Sequence, residues 1–493
     1  MRAAKPLVAA LGTLTLGGCV LLYDYDTYEL GATGGANGCG DAAPGPSTVE
    51  LCTNDVDDDC DGTQCDNVAT WNRRFGDSTY EQTVTGVAMA TDGSVLVAGH
   101  YKGTIEIEPT KDVSSNLASN QTDAFIAKIL PSGEGAWIRD LAGTLDRQVF
   151  GVAVDGMNAA LVTGYIDEGA GATQKDAFVR RWFAQGAEDW TWKHMGGGDD
   201  LGLALAVGPN DAVFVAGKIS GSGQILCGME SPTYTDLADA LFVAKLNGGL
   251  CVWGYVFPGG VHHPTAITVD EVGNPVVTGR FSGALGTMNS QGEVAFVMSL
   301  NGVDGTPVWG KTFGDINNPV YPQAIHGGFG KMLVTGSFRG AANLGAETLG
   351  SDDGTEDTFV IALEELNGTP AWAKRFGGKL VQKGTGITVD PAGSIFVAGI
   401  TEGAMSPEPS STEGVLGNSH SMFLLALDGD GNPRWGDVFG AEEALAPRSA
   451  HVAWGPLGVA LAAGWSTSID FGNGPLAGAS LALDIVVAKF PPL

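Results

Sequence analysis

From residue 71 onward the chain alternates short apolar runs with small polar turns, and four patterns recur in a fixed order. The first is a tryptophan followed four residues later by a large apolar residue: Trp71/Phe75, Trp137/Leu141, Trp253/Phe257, Trp309/Phe313, Trp372/Phe376 and Trp435/Phe439, with a weaker copy at Trp190 that puts His194 in the Phe position. The second is a period-two segment such as Gly151–Asp155 or Gly386–Asp390. The third ends in glycine, at Gly99, Gly164, Gly217, Gly279, Gly336, Gly399 and Gly464. The fourth reads Asp-Ala-Phe-Val-Ala-Lys or close to it, centred on Phe125, Phe178, Phe242, Phe296, Phe359, Phe423 and Val486. Alternation of apolar and small residues at period two, rich in β-branched side chains and bounded by Gly, Asn and Asp, predicts strands joined by tight turns.

Successive copies lie 53–66 residues apart and hold four strands each, which is the size of a β-propeller blade. The array starts on a tryptophan segment with no partners before it. It ends on Asp484–Lys489 with no tryptophan segment after it. The expected fold is therefore all-β: a seven-bladed β-propeller with four strands per blade, closed by the N-terminal strand 71–75 completing the last blade. Closure of this kind removes free sheet edges. The four motifs of residues 71–493 resemble the bacterial SBBP-type β-propeller repeats, which the resemblance associates with secreted or surface proteins.

Two of the four connections in each unit are short hairpins, such as Thr91–Ser94 and Asp428–Asn432, and two are long. In an antiparallel blade the long ones share one face, and binding residues commonly sit on loops held by a rigid scaffold. The expected ligand face is therefore the long-loop face around the channel mouth, with His262, His263, Arg280, Arg339, Asp199 and Asp200 as its candidate residues. His326 and His451 fall in neighbouring segments. No metal-ligand spacing joins the histidines, and the acids also read as ordinary solvating charge. Asp428-Gly-Asp430-Gly-Asn432 reads as a turn.

The N-terminus changes the picture of location. Arg2 and Lys5, the apolar run 7–16 and Leu16-Gly17-Gly18-Cys19 form a three-part export signal. Its end resembles a bacterial lipobox, which implies a signal peptide over 1–18 and a lipid on Cys19. Val20 after it leans the expectation to the outer membrane, on the periplasmic side or the cell surface. Residues 19–70 read as a flexible tether, with Gly, Ala and Pro enriched in 31–47. Within segment 50–66, Asp55, Asp57, Asp59 and Asp61 lie among Cys52, Cys60 and Cys65 and resemble short Cys/Asp-rich metal-binding segments. Calcium is the expected ion, because closely packed carboxylates need a cation. The alternative is a solvated acidic spacer. Cys39, Cys52, Cys60 and Cys65 are expected to pair among themselves, in an order that spacing leaves open, and Cys227 with Cys251.

Composition sharpens this reading. Of 493 residues 75 are glycine, and 56 acids against 26 bases give a net charge of -30. Such a balance argues against nucleic-acid partners, since phosphates attract Lys and Arg. No nucleophile elbow, phosphate loop or zinc-protease helix occurs. The leading expectation is a non-catalytic, lipid-anchored envelope protein whose propeller binds a protein or glycan partner. The alternatives are an extracellular propeller enzyme of lyase or quinone-dehydrogenase type, which Asp304-Gly-Thr-Pro-Val-Trp309 faintly resembles, and a purely structural envelope component.

Overall fold

The computed structural model describes residues 68–492, apart from 77–79, 108–113, 117–121, 142–145, 168–173, 229–230, 352–353, 404, 407–419, 441–448 and 479–481. The expectations placed on Cys19, Cys39, Cys52, Asp55, Asp57, Asp59, Cys60, Asp61 and Cys65 lie outside the described residues.

Seven four-stranded antiparallel sheets form a β-propeller. The inner strands are Thr83–Met89, Arg147–Val154, Leu201–Val207, Gly260–Val269, Val320–Gly328, Gln382–Val389 and Ala450–Gly455. The outer strands of the first six blades are Gly135–Asp140, Glu188–His194, Leu250–Phe257, Pro307–Phe313, Pro370–Gly378 and Pro433–Phe439. The seventh blade takes its outer strand from Trp71–Phe75, paired in register from Trp71 opposite Lys489 to Phe75 opposite Ile485. Arg74 locks this closure. Its Nε lies 2.9 Å from Asp484 Oδ2, and its other nitrogens donate to the carbonyls of Trp465, Ser466 and Thr467. Tight turns join inner to second and third to outer strands on what we call the hairpin face. The remaining connections start from the opposite, crossover face.

The repeated glycine of the second strand has a steric cause. In six blades the inner strand carries a β-bulge at the residue paired with that glycine, as at Val84, Val149, Gly202, Pro264, Pro322 and Gly384. The bulge pushes an inner-strand carbonyl over the glycine. A Cβ built on Gly99, Gly164, Gly217, Gly279, Gly336 or Gly399 would stand 1.8–2.3 Å from that oxygen. In the seventh blade the described pairing of the inner strand begins at Ala450, opposite Ala463, and does not reach Gly464.

The tryptophans join each blade to the next. The indole Nε1 of Trp71, Trp137, Trp253, Trp309 and Trp372 donates to Pro131, Ala184, Gly302, Glu365 and Gly429, each in the third-to-outer turn of the following blade, at 2.9–3.2 Å. A glycine of that turn lies flat on the ring, as Gly133 does on Trp71 and Gly368 on Trp309. Both glycines have positive φ, 85° and 67°, which L side chains rarely adopt. Trp435 Nε1 is buried without an acceptor, since the blade it faces takes its outer strand from the other end of the chain and has no such turn.

Among the described residues, the long second-to-third connections do not crown the channel mouth, contrary to the expectation from the sequence. Radial blades splay apart with distance from the axis, and these excursions fold down the flank into the widening gap. They pack against the Phe of the preceding outer strand: Tyr101 and Ile105 with Phe75, Leu285 with Phe257, Leu344 with Phe313, Met405 with Phe376. Phe471 meets Phe439 with ring centroids 5.0 Å apart. Burying each such side chain stabilises by about 1.5–3 kcal/mol. The disulfide Cys227–Cys251 fastens the third blade's excursion to the start of its outer strand.

Candidate functional site

The seven inner strands run in the same direction around a central channel of about 910 Å3. Thr85, Thr265, Gln323, Lys383, Thr385 and Ser449 line its crossover-face end. Met89, Val154, Val207, Val269 and Trp454 line its hairpin-face end. Phe150 and Leu203 also line the crossover-face end and Thr268 and Thr388 the hairpin-face end, so polar side chains are enriched at the first and apolar ones at the second without being confined there. Although the chain carries 56 acids, no carboxylate is among the described lining residues. Inner strands present unpaired backbone edges to the channel, and threonines of neighbouring blades satisfy part of them. Thr385 Oγ1 donates to Ala450 O at 2.7 Å and accepts from Ala450 N, while Thr268 and Thr388 accept from Gly327 N and Trp454 N. His326 and His451 stand in the wall, half-buried. Desolvation by the encircling strands pushes both down to about 4, so both rings are neutral at pH 7. Ser449 Oγ lies 2.9 Å from His451 Nε2.

Beside the polar mouth, side chains from blades four, five and six form a mixed-charge run. Arg280 pairs with Glu293, and His263 Nε2 lies 3.8 Å from the same carboxylate. The Arg280 guanidinium sits over the Tyr321 ring, 5.2 Å from its centroid. Tyr321 is directly opposite Ser337 in the ladder, and Ser337 Oγ donates to Glu356 at 2.8 Å. Glu356 also receives Arg339 at 3.4 Å and Lys383 at 3.3 Å. The structure therefore brings His263, Arg280 and Arg339 into one neighbourhood. Sequence reasoning missed Glu293, Tyr321 and Lys383, because the corresponding positions of other blades carry unrelated residue types and no repeat marks them.

His262 and Asp200 belong elsewhere. Both occupy the position that enters the inner strand, where Gln82, Arg147 and Gln382 stand in other blades, and all five side chains bind backbone near the blade junction. His262 is fully buried. Its Nδ1 accepts from Leu241 N at 2.9 Å and its Nε2 meets Ala284 O at 2.8 Å, so neither nitrogen faces solvent. Burial, with the neighbouring His263, holds its pKa below the usual histidine value. Gln382 donates to Lys379 O and accepts from Gly378 N, and Arg147 donates to Leu141 O. Asp200 accepts from Gly196 N at 2.8 Å and Ser220 N at 3.4 Å. Burial pushes its carboxyl up to about 7, with Asp176 and Asp199 adding to the rise. Next to it His194 takes the place of the wedge phenylalanine and hydrogen-bonds Tyr234 OH at 2.8 Å; burial holds that imidazole down to about 4. Asp199 is exposed, and its side chain accepts from Lys175 N at 3.3 Å. In the turn at Asp428, Oδ1 caps Asp430 N and Asn432 N, and Asp155, Asp270 and Asp390 cap their turns in the same way. These carboxylates serve turn geometry.

Fold and channel define a closed seven-bladed propeller with one mouth enriched in polar side chains. No protein-family model and no curated protein sequence matches the chain. Among solved structures it is similar to a chain of the mitotic checkpoint complex (TM-score 0.46, 10% identity, covering 94% of this chain and 100% of that one). It is also similar to a europium-containing methanol dehydrogenase (0.42, 11%, 86% and 93%) and to the quinohemoprotein alcohol dehydrogenase of Comamonas testosteroni (0.41, 9%, 86% and 76%). These likenesses are of ring architecture, and no activity is carried over from them.

Proposed function

We propose that the chain is a lipid-anchored protein of the bacterial envelope and that its propeller is a binding platform for a protein or glycan. The observation that carries this reading is the mixed-charge run from His263 through Arg280, Tyr321 and Glu356 to Lys383, set beside a polar concave mouth. Carboxylates, a guanidinium and an aromatic face on rigid strands offer donors, acceptors and a stacking surface to hydroxyl-rich or charged ligands. The lipid on Cys19 would hold the platform at a membrane. Calcium on Asp55, Asp57, Asp59 and Asp61 would stiffen the tether between them.

The test is a glycan and peptide array probed with the Cys19→Ser protein, with and without Ca2+, against an Arg280→Ala/Glu356→Gln variant. Capture by the parent and its loss in the variant are expected. Turnover of quinone-linked alcohols or of polysaccharide, with no array signal, would overturn the reading in favour of an enzyme. Membrane fractionation of Cys19→Ser checks the anchor, because a variant that stays with the membrane removes it.

A further inference from the structure

The hairpin face carries large apolar side chains at turn tips, where polar residues would serve the turn as well. Met157, Leu250, Val272, Val303, Phe329 and Leu366 are 45–79 % exposed and fall on the second to fifth blades, with Leu457, 46 % exposed, in a turn of the seventh. On the crossover face Tyr80, Met195, Val261, Ile316 and Leu380 are exposed one to a crossover, and Leu226 is exposed on the third blade's excursion, as single surface residues commonly are. The apolar end of the channel opens in the middle of the hairpin face, lined by Met89, Val207 and Trp454.

A second observation is independent of this patch. The outer strand of the seventh blade begins at the hairpin face, because Trp71 pairs with Lys489 at the end of the third strand. Thr70 N donates to Lys489 O at 2.7 Å, while Ala69 N donates to Phe471 O at 2.9 Å, in the excursion that lies on the flank. The first described residues thus lie on the flank at the hairpin-face end of the seventh blade, the end of the ring that carries the apolar side chains.

We propose that the hairpin face docks on the lipid surface that holds the anchor, so that the polar mouth is turned away from it. This rests on the lipid-anchor reading above. The tether sets the energetics. The roughly 50 residues between Cys19 and Thr70, behaving as the tether read from the sequence, would keep the ring within a root-mean-square distance of about 40 Å of its anchor. Docking is then intramolecular, at an effective concentration near the millimolar range, and a shallow apolar contact suffices. Acids rim the patch: Asp211 and Glu271 each accept a neighbouring turn's N–H, and Asp304 caps its own turn. Negative lipid headgroups would repel this rim, so the surface is suited to zwitterionic lipid and disfavours anionic lipid.

The experiment uses the full lipidated chain in phosphatidylethanolamine/phosphatidylcholine vesicles containing brominated lipid. Single Val303→Cys, Leu366→Cys, Ile316→Cys and Leu380→Cys variants carry a bimane fluorophore. Flotation reports the anchor, and quenching reports which face touches lipid. Labels at 303 and 366 are expected to be quenched about threefold more than those at 316 and 380, with the contrast shrinking as phosphatidylglycerol is added. Flotation with equal quenching on both faces, or with the reverse order, overturns the docking alone. Failure to float overturns the anchor and the docking with it.

Discussion

Replacing Gly217 by alanine places a methyl 1.9 Å from Leu201 O and 2.6 Å from Phe242 Cε1. Ordinary carbon–oxygen contact needs more than 3 Å, so the inner strand must retreat by more than an ångström or surrender its bulge. Overpacking of this order costs about 1–3 kcal/mol, and each ladder hydrogen bond left unmade adds about 1–3 kcal/mol. The expected total is about 3–5 kcal/mol. For a cooperative unit of some 400 residues the unfolding entropy near the midpoint is about 0.9 kcal/mol/K, so Tm should fall by about 3–6 °C. An exposed turn glycine supplies the control within the same molecule. Among the described residues, a Cβ on Gly429 would stand 3.8 Å from Gly393 O, an ordinary contact. Gly429→Ala should be neutral, or should stabilise by up to about 1 kcal/mol by restricting the unfolded chain. Differential scanning calorimetry of both variants decides the matter. If Gly217→Ala melts no lower than Gly429→Ala, the bulge is not what requires glycine.

The tryptophan contacts offer a paired test: Trp309→Phe loses the bond to Glu365 O at 3.0 Å and should cost about 1 kcal/mol more than Trp435→Phe, whose indole has no acceptor, as read by denaturant midpoints. Asp200 has a folded pKa of about 7, above the ordinary 3.8, so the folded state holds the extra proton and stability falls as pH rises from about 4 to about 7. Asp200→Asn should therefore gain on the parent in thermal midpoint across that window and hold the gain above it; a constant difference with pH would refute the assignment. The Cys227→Ser/Cys251→Ser variant should lose about 3 kcal/mol by loop entropy, with proteolysis concentrated in 218–232; unchanged protease resistance there would show that the excursion holds without its staple.

The ring, its blade count and its closure were legible in the sequence because a propeller repeats both its chemistry and its spacing. Trp71 without partners and Asp484–Lys489 without a following strand were enough to predict how the ends meet. What escaped were features that repeat in position but not in residue type. Gln82, Arg147, Asp200, His262 and Gln382 do one job with five side chains, since backbone donors and acceptors accept any polar partner of suitable reach. Sequence reasoning therefore placed His262 and Asp200 on the ligand face, whereas both are buried at blade junctions. The direction of the long excursions escaped for another reason. Loop length shows how far a segment reaches, while the gap that attracts it exists only once neighbouring blades are assembled.

Closure through Trp71–Phe75 also fixes an order of events in the life of the chain. Those residues are synthesised before every strand of the ring, yet their partners, Ile485 to Lys489, come last; Arg74 and Asp484 are 410 positions apart. Six blades can form from neighbouring segments as they emerge, but the seventh must wait for the final strand. Until then the first-made strand has nothing to pair with and the sheet it will complete has an open edge. A chain broken off early can therefore never seal, whatever the quality of the blades it has made, and the fold itself distinguishes a finished molecule from a fragment.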